Sequence, residues 1–157
     1  MLADEAATTR VGAALARCLP AEMARQSLLL SLSGELGSGK TTLARGLLRA
    51  LGATGTIRSP TFTLVEPYET AHGVVYHLDL YRLAAGTQEL EALGYRDLRA
   101  EPGLVIVEWP ERAGARLGIL DLAGTLELAG TGRRLMLEAG TPAGRQWLEA
   151  LSRAALS

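Results

Sequence analysis

The chain has 157 residues, of which 48% are hydrophobic and 21% charged, a composition typical of a folded globular domain rather than a disordered segment. Sixteen basic and seventeen acidic side chains nearly cancel. This balance excludes a broad basic surface for nucleic acid, although it leaves a local patch open. The length fits one domain, and we predict a single domain over residues 1–157.

The cysteine content and the apolar runs indicate the compartment. Cys18 is the only cysteine, so no intrachain disulfide can form, which suits a reducing cytoplasm. Its apolar-periodic surroundings predict a small buried side chain rather than a nucleophile. No apolar run reaches the ~18 residues that span a bilayer, and the first ten residues lack a signal-peptide pattern. We therefore expect a cytoplasmic protein that does not contact membranes.

The N-terminal third predicts a helix, a strand and a second helix. Apolar residues recur on one helical face over residues 8–19. Residues 27–33 contain a continuous apolar run typical of a strand buried on both faces. Leucines at fourfold spacing predict a helix over residues 39–51, with Gly52 as its C-terminal stop.

The remainder of the chain alternates strands and helices. The sequence of residues 58–61 is typical of a loop. The patterns beyond it predict two hairpins, a short helix, a buried strand and a C-terminal helix. These elements are strands 62–68 and 74–80, helix 88–93 ending at Gly94, strand 104–107, strands 122–129 and 133–139, and helix 142–155. The fold class predicted is α/β, with a mixed sheet flanked by helices.

A phosphate-binding loop lies between the first strand and the second helix. Residues 34–41 fit G-x-x-x-x-G-K-[ST] without deviation, and the glycines let successive backbone N–H groups point at a phosphate. Lys40 is the only lysine of the chain, at the one position that needs a compact ammonium. A chance glycine-rich turn is the alternative. We predict that ATP binds here, with these residues as its contacts: Glu35, Leu36, Gly37, Ser38, Gly39, Lys40, Thr41 and Thr42.

Two carboxylates are candidates for binding Mg²⁺ and positioning the attacking water. Glu108 ends a buried strand at the edge where α/β sheets bind ligands, although a solvated glutamate there is the alternative. Asp79 ends another strand in an apolar context and needs a partner, which is either a metal or Arg82 in a structural pair. We predict that Thr41, Glu108 and Asp79 hold the metal.

Three further residues are weaker candidates. Thr61 lies in a loop that could close over the γ-phosphate as a switch segment does, although Ser-Pro-Thr is also ordinary turn chemistry. His77 is interpreted as a structural strand histidine rather than a catalyst. Trp109 is either a core residue or an exposed aromatic for a partner, and the sequence leaves both open.

Four blocks of sequence carry a family resemblance. GELGSGKTT at residues 34–42, SPTFTLV at 59–65, YHLDLYR at 76–82 and VEWPE at 107–111 resemble, in order and spacing, the bacterial TsaE (YjeE) family. The resemblance implies a P-loop NTPase fold and an Mg²⁺-dependent ATPase. This ATPase would be required for threonylcarbamoylation of adenosine 37 in tRNAs that read codons beginning with A. It also implies the TsaD and TsaB proteins as partners, indirect contact with tRNA, and an ATPase that is weak alone.

The resemblance also assigns roles residue by residue. It implies catalytic roles for Lys40, Asp79, Glu108 and Thr61. Thr8, near the N-terminus, resembles a threonine on the adenine side of the nucleotide, and Arg133 resembles a basic residue near the base. Leu78 departs from the family pattern, in which an aromatic residue often stands at this position.

Other functions compete with this interpretation. A P-loop small-molecule kinase would need an arginine-rich lid. Arg96 and Arg99 are the candidates for one, and two arginines do not make an arginine-rich segment. A GTPase is disfavoured because its N-K-x-D motif needs asparagine and the chain has none. No signature motif of an ABC-type ATPase is found. A nucleotide-gated binding module, in which ATP changes partner affinity and hydrolysis is incidental, remains open beside the ATPase.

Overall fold

Six strands and five helices form the described part of a computed structural model, which covers residues 1–60, 62–84 and 88–157. The strands are β1 (Ser27–Ser33), β2 (Val65–Thr70), β3 (Gly73–Asp79), β4 (Gly103–Glu108), β5 (Leu122–Ala129) and β6 (Gly132–Ala139). The helices are α1 (Glu5–Arg17), α2 (Lys40–Ala50), α3 (Glu89–Ala92), α4 (Tyr95–Ala100) and α5 (Pro142–Leu156). Short 3₁₀ turns cover Ala21–Ala24, Pro110–Arg112 and Gly114–Leu117.

The strands form one mixed sheet in the order β2-β3-β4-β1-β5-β6. The four inner strands run parallel to their inner neighbours, and the two hairpin partners, β2 and β6, are antiparallel at the edges. The carboxyl ends of β1, β3 and β4 therefore meet at one edge of the sheet. In that register Asp79 lies beside Glu108, which places the two predicted carboxylates on neighbouring strands.

Helices cover both faces of the sheet, so the central strand is buried on both sides. Leu28, Leu30 and Leu32 of β1 pack into a core with α1, α2 and α5. Leu29 points to the opposite face, into a second core with α3, α4 and the segments around β3 and β4. This alternation within one uninterrupted apolar run is the period-two geometry of a strand, with apolar layers on each side.

Helices α1 and α2 pack backbone against backbone. A Cβ added at Gly12 would collide with the main-chain carbonyl of Leu43 in α2. Because only glycine permits this approach, α1 lies close enough to α2 to bring its first turn to the start of α2. This contact explains how residues near the N-terminus reach the phosphate loop.

The predicted elements are confirmed in type, with corrections at several boundaries. α1 begins at Glu5 because Asp4 caps it, accepting a hydrogen bond from the Ala7 N–H at 2.7 Å. β2 begins at Val65 rather than residue 62 because Leu64 has a left-handed backbone (φ 63°) that interrupts an extended strand.

Two further expectations are corrected. A second helix, α4, follows α3 after the left-handed Gly94 and was not predicted. Cys18 is half-buried at the C-terminal end of α1 rather than fully enclosed, although it packs against the core. Within residues 1–60, 62–84 and 88–157, none of the helices combines the length and the hydropathy that a transmembrane span requires.

Candidate nucleotide-binding site

The predicted phosphate loop connects β1 to α2 at the carboxyl edge of the sheet. Gly34, Gly37 and Gly39 all have positive φ angles, at 148°, 77° and 105°, which side-chain-bearing residues rarely adopt. α2 begins directly at Lys40. The first-turn N–H groups of a helix lack intrahelical partners and attract anions, so the loop presents the donor set that a phosphate needs.

Lys40 is held inside the loop by the loop itself. Its Nζ donates hydrogen bonds to the carbonyl oxygens of Gly34 at 2.6 Å and Glu35 at 2.9 Å. The residue is only 4% exposed, and Nζ lies 4.3 Å from the centroid of the Trp109 ring. A buried ammonium with carbonyl and ring partners is a preorganised positive charge.

Burial and neighbouring charges act on this ammonium in opposite directions. Desolvation lowers the pKa of Lys40 from its usual 10.5. Three carboxylates, those of Glu108, Glu111 and Asp79, raise the pKa and offset part of this effect. The net effect is a lowered pKa of Lys40. The charged form of Lys40 is therefore destabilised by burial, and a bound anion would stabilise it.

Thr41 and Glu108 are in direct contact across the sheet edge. The Thr41 hydroxyl donates to the Glu108 carboxylate, with Oγ1 at 2.8 Å from Oε1 and 3.1 Å from Oε2. Glu108 is only 2% exposed, and its Oε2 also lies 2.6 Å from His77 Nε2. The solvated strand-end glutamate that the sequence left open is therefore excluded by burial and by these two partners.

Asp79 is oriented by the loop that precedes β2. Its Oδ2 accepts a hydrogen bond from the Ser59 hydroxyl, and its Oδ1 accepts one from the Tyr81 N–H at 3.0 Å. Arg82 instead lies over the Phe62 ring, with Cζ 4.9 Å from the ring centroid. Within the described residues no ion pair joins Asp79 to Arg82, so the structural Asp–Arg pair is not formed.

A cavity of about 400 Å³ opens above the loop. Its lining includes ten of the predicted site residues: Thr8, Leu36, Gly37, Gly39, Lys40, Thr41, Thr42, Asp79, Glu108 and Arg133. Glu35 and Ser38 are not part of this lining, because Ser38 is buried within the loop and Glu35 faces a neighbouring groove. Thr61 lies outside the described residues.

Thr8 and Arg133 are far apart in the sequence, yet both lie next to Gly39 of the loop. A Cβ added at Gly39 would lie 3.2 Å from Arg133 Nε and 3.4 Å from Thr8 Cγ2, so a larger residue would fill the space between them. Arg133 Nη2 donates to the Gly37 carbonyl at 3.2 Å, while its buried Nε has no hydrogen-bond partner in the described part of the chain. An unpaired buried donor beside the loop suits a polar ligand.

The donor set fits a magnesium–nucleotide complex. Loop amides, one ammonium and one guanidinium suit a polyphosphate, and a hydroxyl with carboxylates suits the oxygen preference of Mg²⁺. Within residues 1–60, 62–84 and 88–157, no group of three or more His, Cys, Asp or Glu side chains could hold a metal by itself.

Sequence reasoning overlooked several side chains of the site. His77 was interpreted as structural, Trp109 was left undecided, and Ser59 and Tyr81 were not singled out, yet all four contact the predicted residues or line the cavity. The available signal was their position beside Asp79, Glu108 and Thr61 in the blocks that carry the family resemblance. Trp109 has a left-handed backbone (φ 59°), which a bulky residue adopts only under local constraint.

Comparison with known proteins identifies the family. The family model described as threonylcarbamoyl adenosine biosynthesis protein TsaE matches residues 2–135. The chain belongs to the TsaE family. The TsaE protein of Haemophilus influenzae is 37% identical over 149 residues, covering 95% of this chain and 94% of its own. The TsaE protein of Treponema pallidum is 33% identical over 129 residues, covering 81% and 89%.

The fold of this TsaE-family chain also matches a solved structure. The crystal structure of Bacillus subtilis YdiB aligns with a TM-score of 0.76 and 26% sequence identity, covering 97% of this chain and 91% of that one. The predicted family and the predicted α/β P-loop NTPase fold with a mixed sheet are confirmed. The single domain over residues 1–157 and the individual roles of the site residues stay predictions.

Proposed function

We propose that this TsaE-family protein is an Mg²⁺-dependent ATP hydrolase that serves the threonylcarbamoylation of adenosine 37 in tRNAs reading codons that begin with A. Family membership supports the pathway, because the relatives are named as tRNA threonylcarbamoyladenosine biosynthesis proteins. One observation carries the chemistry: Lys40 and the Thr41–Glu108 contact lie together at a glycine loop on the wall of one cavity.

Phosphate binding is the role of the loop and its single ammonium. The backbone N–H groups of residues 34–41 and the N-terminus of α2 would hold the β- and γ-phosphates. Lys40 would exchange its hydrogen bonds with the Gly34 and Glu35 carbonyls for bonds to phosphate oxygens. Thr8 and Arg133, on the opposite side of Gly39, would contact the nucleoside end.

The metal-side residues lie at the carboxyl edge of β3 and β4. Thr41 and Glu108 would hold Mg²⁺, with Asp79 close by, and the ion would neutralise charge that develops on the phosphates. Asp79, with its carboxylate oriented by Ser59 and the Tyr81 N–H, would position the attacking water. These residues act by positioning and electrostatic stabilisation, as phosphoryl transfer requires.

The side chains at the cavity support the proposal that hydrolysis is slow in isolation. Of the described residues that line it, Arg133 is the only arginine, and it contacts the Gly37 carbonyl. P-loop hydrolases gain 10³–10⁵ in rate from an arginine that stabilises the transition state. We therefore assign activation to the proposed partners, TsaD and TsaB, in the cytoplasm. Under this proposal tRNA is contacted only through that complex.

The first test measures nucleotide affinity. Lys40→Met removes the ammonium but keeps an unbranched side chain, and we expect affinity for Mg-ATP to fall about 30-fold or more, because a buried charged partner is lost. Arg49→Met is the matched control, since Arg49 is an exposed cation on the same helix. Unchanged affinity of Lys40→Met, measured by titration calorimetry, would contradict the phosphate-loop assignment.

A second test separates hydrolysis from binding. Glu108→Ala should bind nucleotide but hydrolyse it far more slowly, and a reaction reconstituted with TsaD, TsaB and tRNA should then lose modification. If Glu108→Ala binds ATP and still supports full tRNA modification, hydrolysis is not required. The nucleotide-gated binding module then describes the protein better.

A further inference from the structure

A buried histidine contacts the Glu108 carboxylate from the neighbouring strand. His77 belongs to β3, is 0% exposed, and its Nε2 lies 2.6 Å from Glu108 Oε2. The Thr41 hydroxyl reaches the same carboxylate from α2, with Oγ1 2.8 Å from Oε1. Glu108 is thus held between a hydroxyl on the ligand side and an imidazole on the protein side.

The chemistry of the contact assigns the proton. If Glu108 is the acceptor, as an ionised carboxylate must be, the donor across the 2.6 Å contact is the Nε2–H tautomer of His77. His77 Nδ1 is buried and has no partner among the residues that the structure describes. The Nε2–H tautomer leaves only a lone pair without a partner at Nδ1.

The length of the glutamate side chain explains why such a donor is needed. P-loop NTPases often use an aspartate beside the metal, and a glutamate carries one more rotatable bond. Ordering that bond costs side-chain entropy, and a second donor offsets the cost by fixing one carboxylate oxygen. β3 and β4 are paired in register, with His77 opposite Ile106, so the imidazole approaches from a rigid sheet rather than from a loop.

We propose that His77 is a positioning residue that holds the Glu108 carboxylate against the Thr41 hydroxyl and thereby sets the affinity for Mg²⁺ with nucleotide. This inference rests on the proposed Mg²⁺-dependent nucleotide site and adds a residue to which no role was assigned above. His77 does not line the cavity, so it acts through Glu108 and touches neither phosphate nor metal.

The test measures the nucleotide affinity of each variant of the whole chain twice, once in the presence of Mg²⁺ and once in the presence of EDTA. The ratio of the two affinities is the Mg²⁺-dependent gain. His77→Leu removes the donor, and we expect the Mg²⁺-dependent gain in affinity to fall about 10-fold or more. This is the usual loss when a residue that hydrogen-bonds to a metal ligand is removed. His77→Gln offers an amide N–H near the position of Nε2 and should restore most of the gain. Affinity in EDTA should change little in either variant.

Stability controls separate positioning from loss of fold. Val75→Ala removes a fully buried side chain of the same strand, which pairs with Leu104 at the far end of β4 from Glu108. It should lower thermal stability without changing the Mg²⁺-dependent gain. If His77→Leu does not fold, His77→Asn replaces it. Its shorter amide does not reach the position of Nε2, so His77→Asn should lose the gain where His77→Gln retains it.

A double-mutant cycle tests whether the effect passes through Glu108. In a Glu108→Ala background, His77→Leu should cause no further loss of the Mg²⁺-dependent gain, because its only route of action is gone. Additive losses would contradict the positioning role.

A spectroscopic readout does not depend on nucleotide. The chain has two histidines, and His72→Gln, at an exposed turn position, assigns their ring signals. Long-range ¹⁵N–¹H spectra of the imidazoles should show His77 as the Nε2–H tautomer, and Glu108→Ala should shift its Nε2 resonance. An Nδ1–H tautomer would overturn the inference.

The outcomes also distinguish the two proposals. A wild-type protein whose nucleotide affinity does not depend on Mg²⁺ contradicts the proposed function, and the inference fails with it. A wild-type protein that gains affinity with Mg²⁺, together with a folded His77→Leu variant that keeps the full gain, overturns the role of His77 alone.

Discussion

At the scale of single residues, the site is defined by charges that are buried before any ligand is considered. Lys40 is enclosed by loop carbonyls and the Trp109 ring, and Glu108 is enclosed by Thr41 and His77. Buried ions must be paired to be tolerated. Here the pairing leaves the ammonium and the carboxylate on the wall of the same cavity, where a polyphosphate and a divalent cation would complete their neutralisation.

The lowered pKa of Lys40 leads to a pH prediction. The folded protein loses this proton at a lower pH than the unfolded chain, whose lysine titrates near 10.5. Between those two values the unfolded state binds more protons, so the contribution of Lys40 to the unfolding free energy rises with pH. Phosphate affinity moves the other way and should fall as pH rises through the lowered pKa, because the ammonium is lost.

The sequence allows this titration to be measured directly. Lys40 is the only lysine, so protein grown with ¹³Cε-lysine gives one side-chain resonance. The pKa read from its titration should lie below 10.5 in the free protein, and it should rise when Mg-ATP is added. Lys40→Arg removes the resonance and confirms its origin. A midpoint at or above 10.5 in the free protein would contradict the desolvation argument.

At the scale of elements, a buried carboxylate joins the central strand to the C-terminal helix. Asp121 lies just before β5, and its Oδ2 accepts a hydrogen bond from the Leu29 N–H of β1 at 2.7 Å. Its Oδ1 accepts one from the Thr141 hydroxyl at 2.6 Å. Thr141 in turn caps α5 by accepting from the Gly144 N–H at 3.0 Å. One side chain thus couples two strands and the start of a helix.

Removing that carboxylate should destabilise the fold. Asp121→Ala leaves the Leu29 N–H buried without its charged acceptor, and we expect the unfolding free energy to fall by about 1.5–3 kcal/mol. Urea denaturation monitored by tryptophan fluorescence measures the change. Asp97→Ala is the control, because Asp97 is exposed on α4 and should change stability by less than about 0.5 kcal/mol. Equal effects of the two substitutions would show that the buried bonds contribute nothing.

At the scale of the whole molecule, ligand binding and global stability are linked. The site draws its lining from α1, α2, β6 and the ends of β3 and β4, elements that come together only in the folded chain. A ligand that binds only this arrangement adds stability that grows with the logarithm of its concentration.

The proposed function therefore predicts a thermal shift. Mg-ATP at 100 times its Kd should add about 2.7 kcal/mol, which for a chain of this size raises Tm by roughly 5–10 °C. The unhydrolysed analogue AMP-PNP avoids turnover during differential scanning calorimetry. Lys40→Met should show little or no shift at the same concentration. A wild-type protein that shows none would contradict nucleotide binding at saturating ligand.

Local patterns in the sequence determined the type of most elements and the identity of the loop. The apolar run of β1, the leucine spacing of α2 and the glycine pattern between them are all short-range signals, so they were available without tertiary structure. The same holds for the predictions made for Thr41 and Lys40, which rest on their position in the loop. α4 was missed because Gly94, which ends one helix, also begins the next.

Only the tertiary structure decided which distant residues meet. Glu108, His77 and Thr41 lie on three elements, and their contacts depend on the register of β3 against β4 and on the position of α2 above the sheet. Periodicity reports which face of an element is apolar, but it contains no information about which buried polar groups pair across strands. That pairing is a consequence of packing, and it places His77, which the sequence predicts to be a structural strand histidine, in contact with the Glu108 carboxylate.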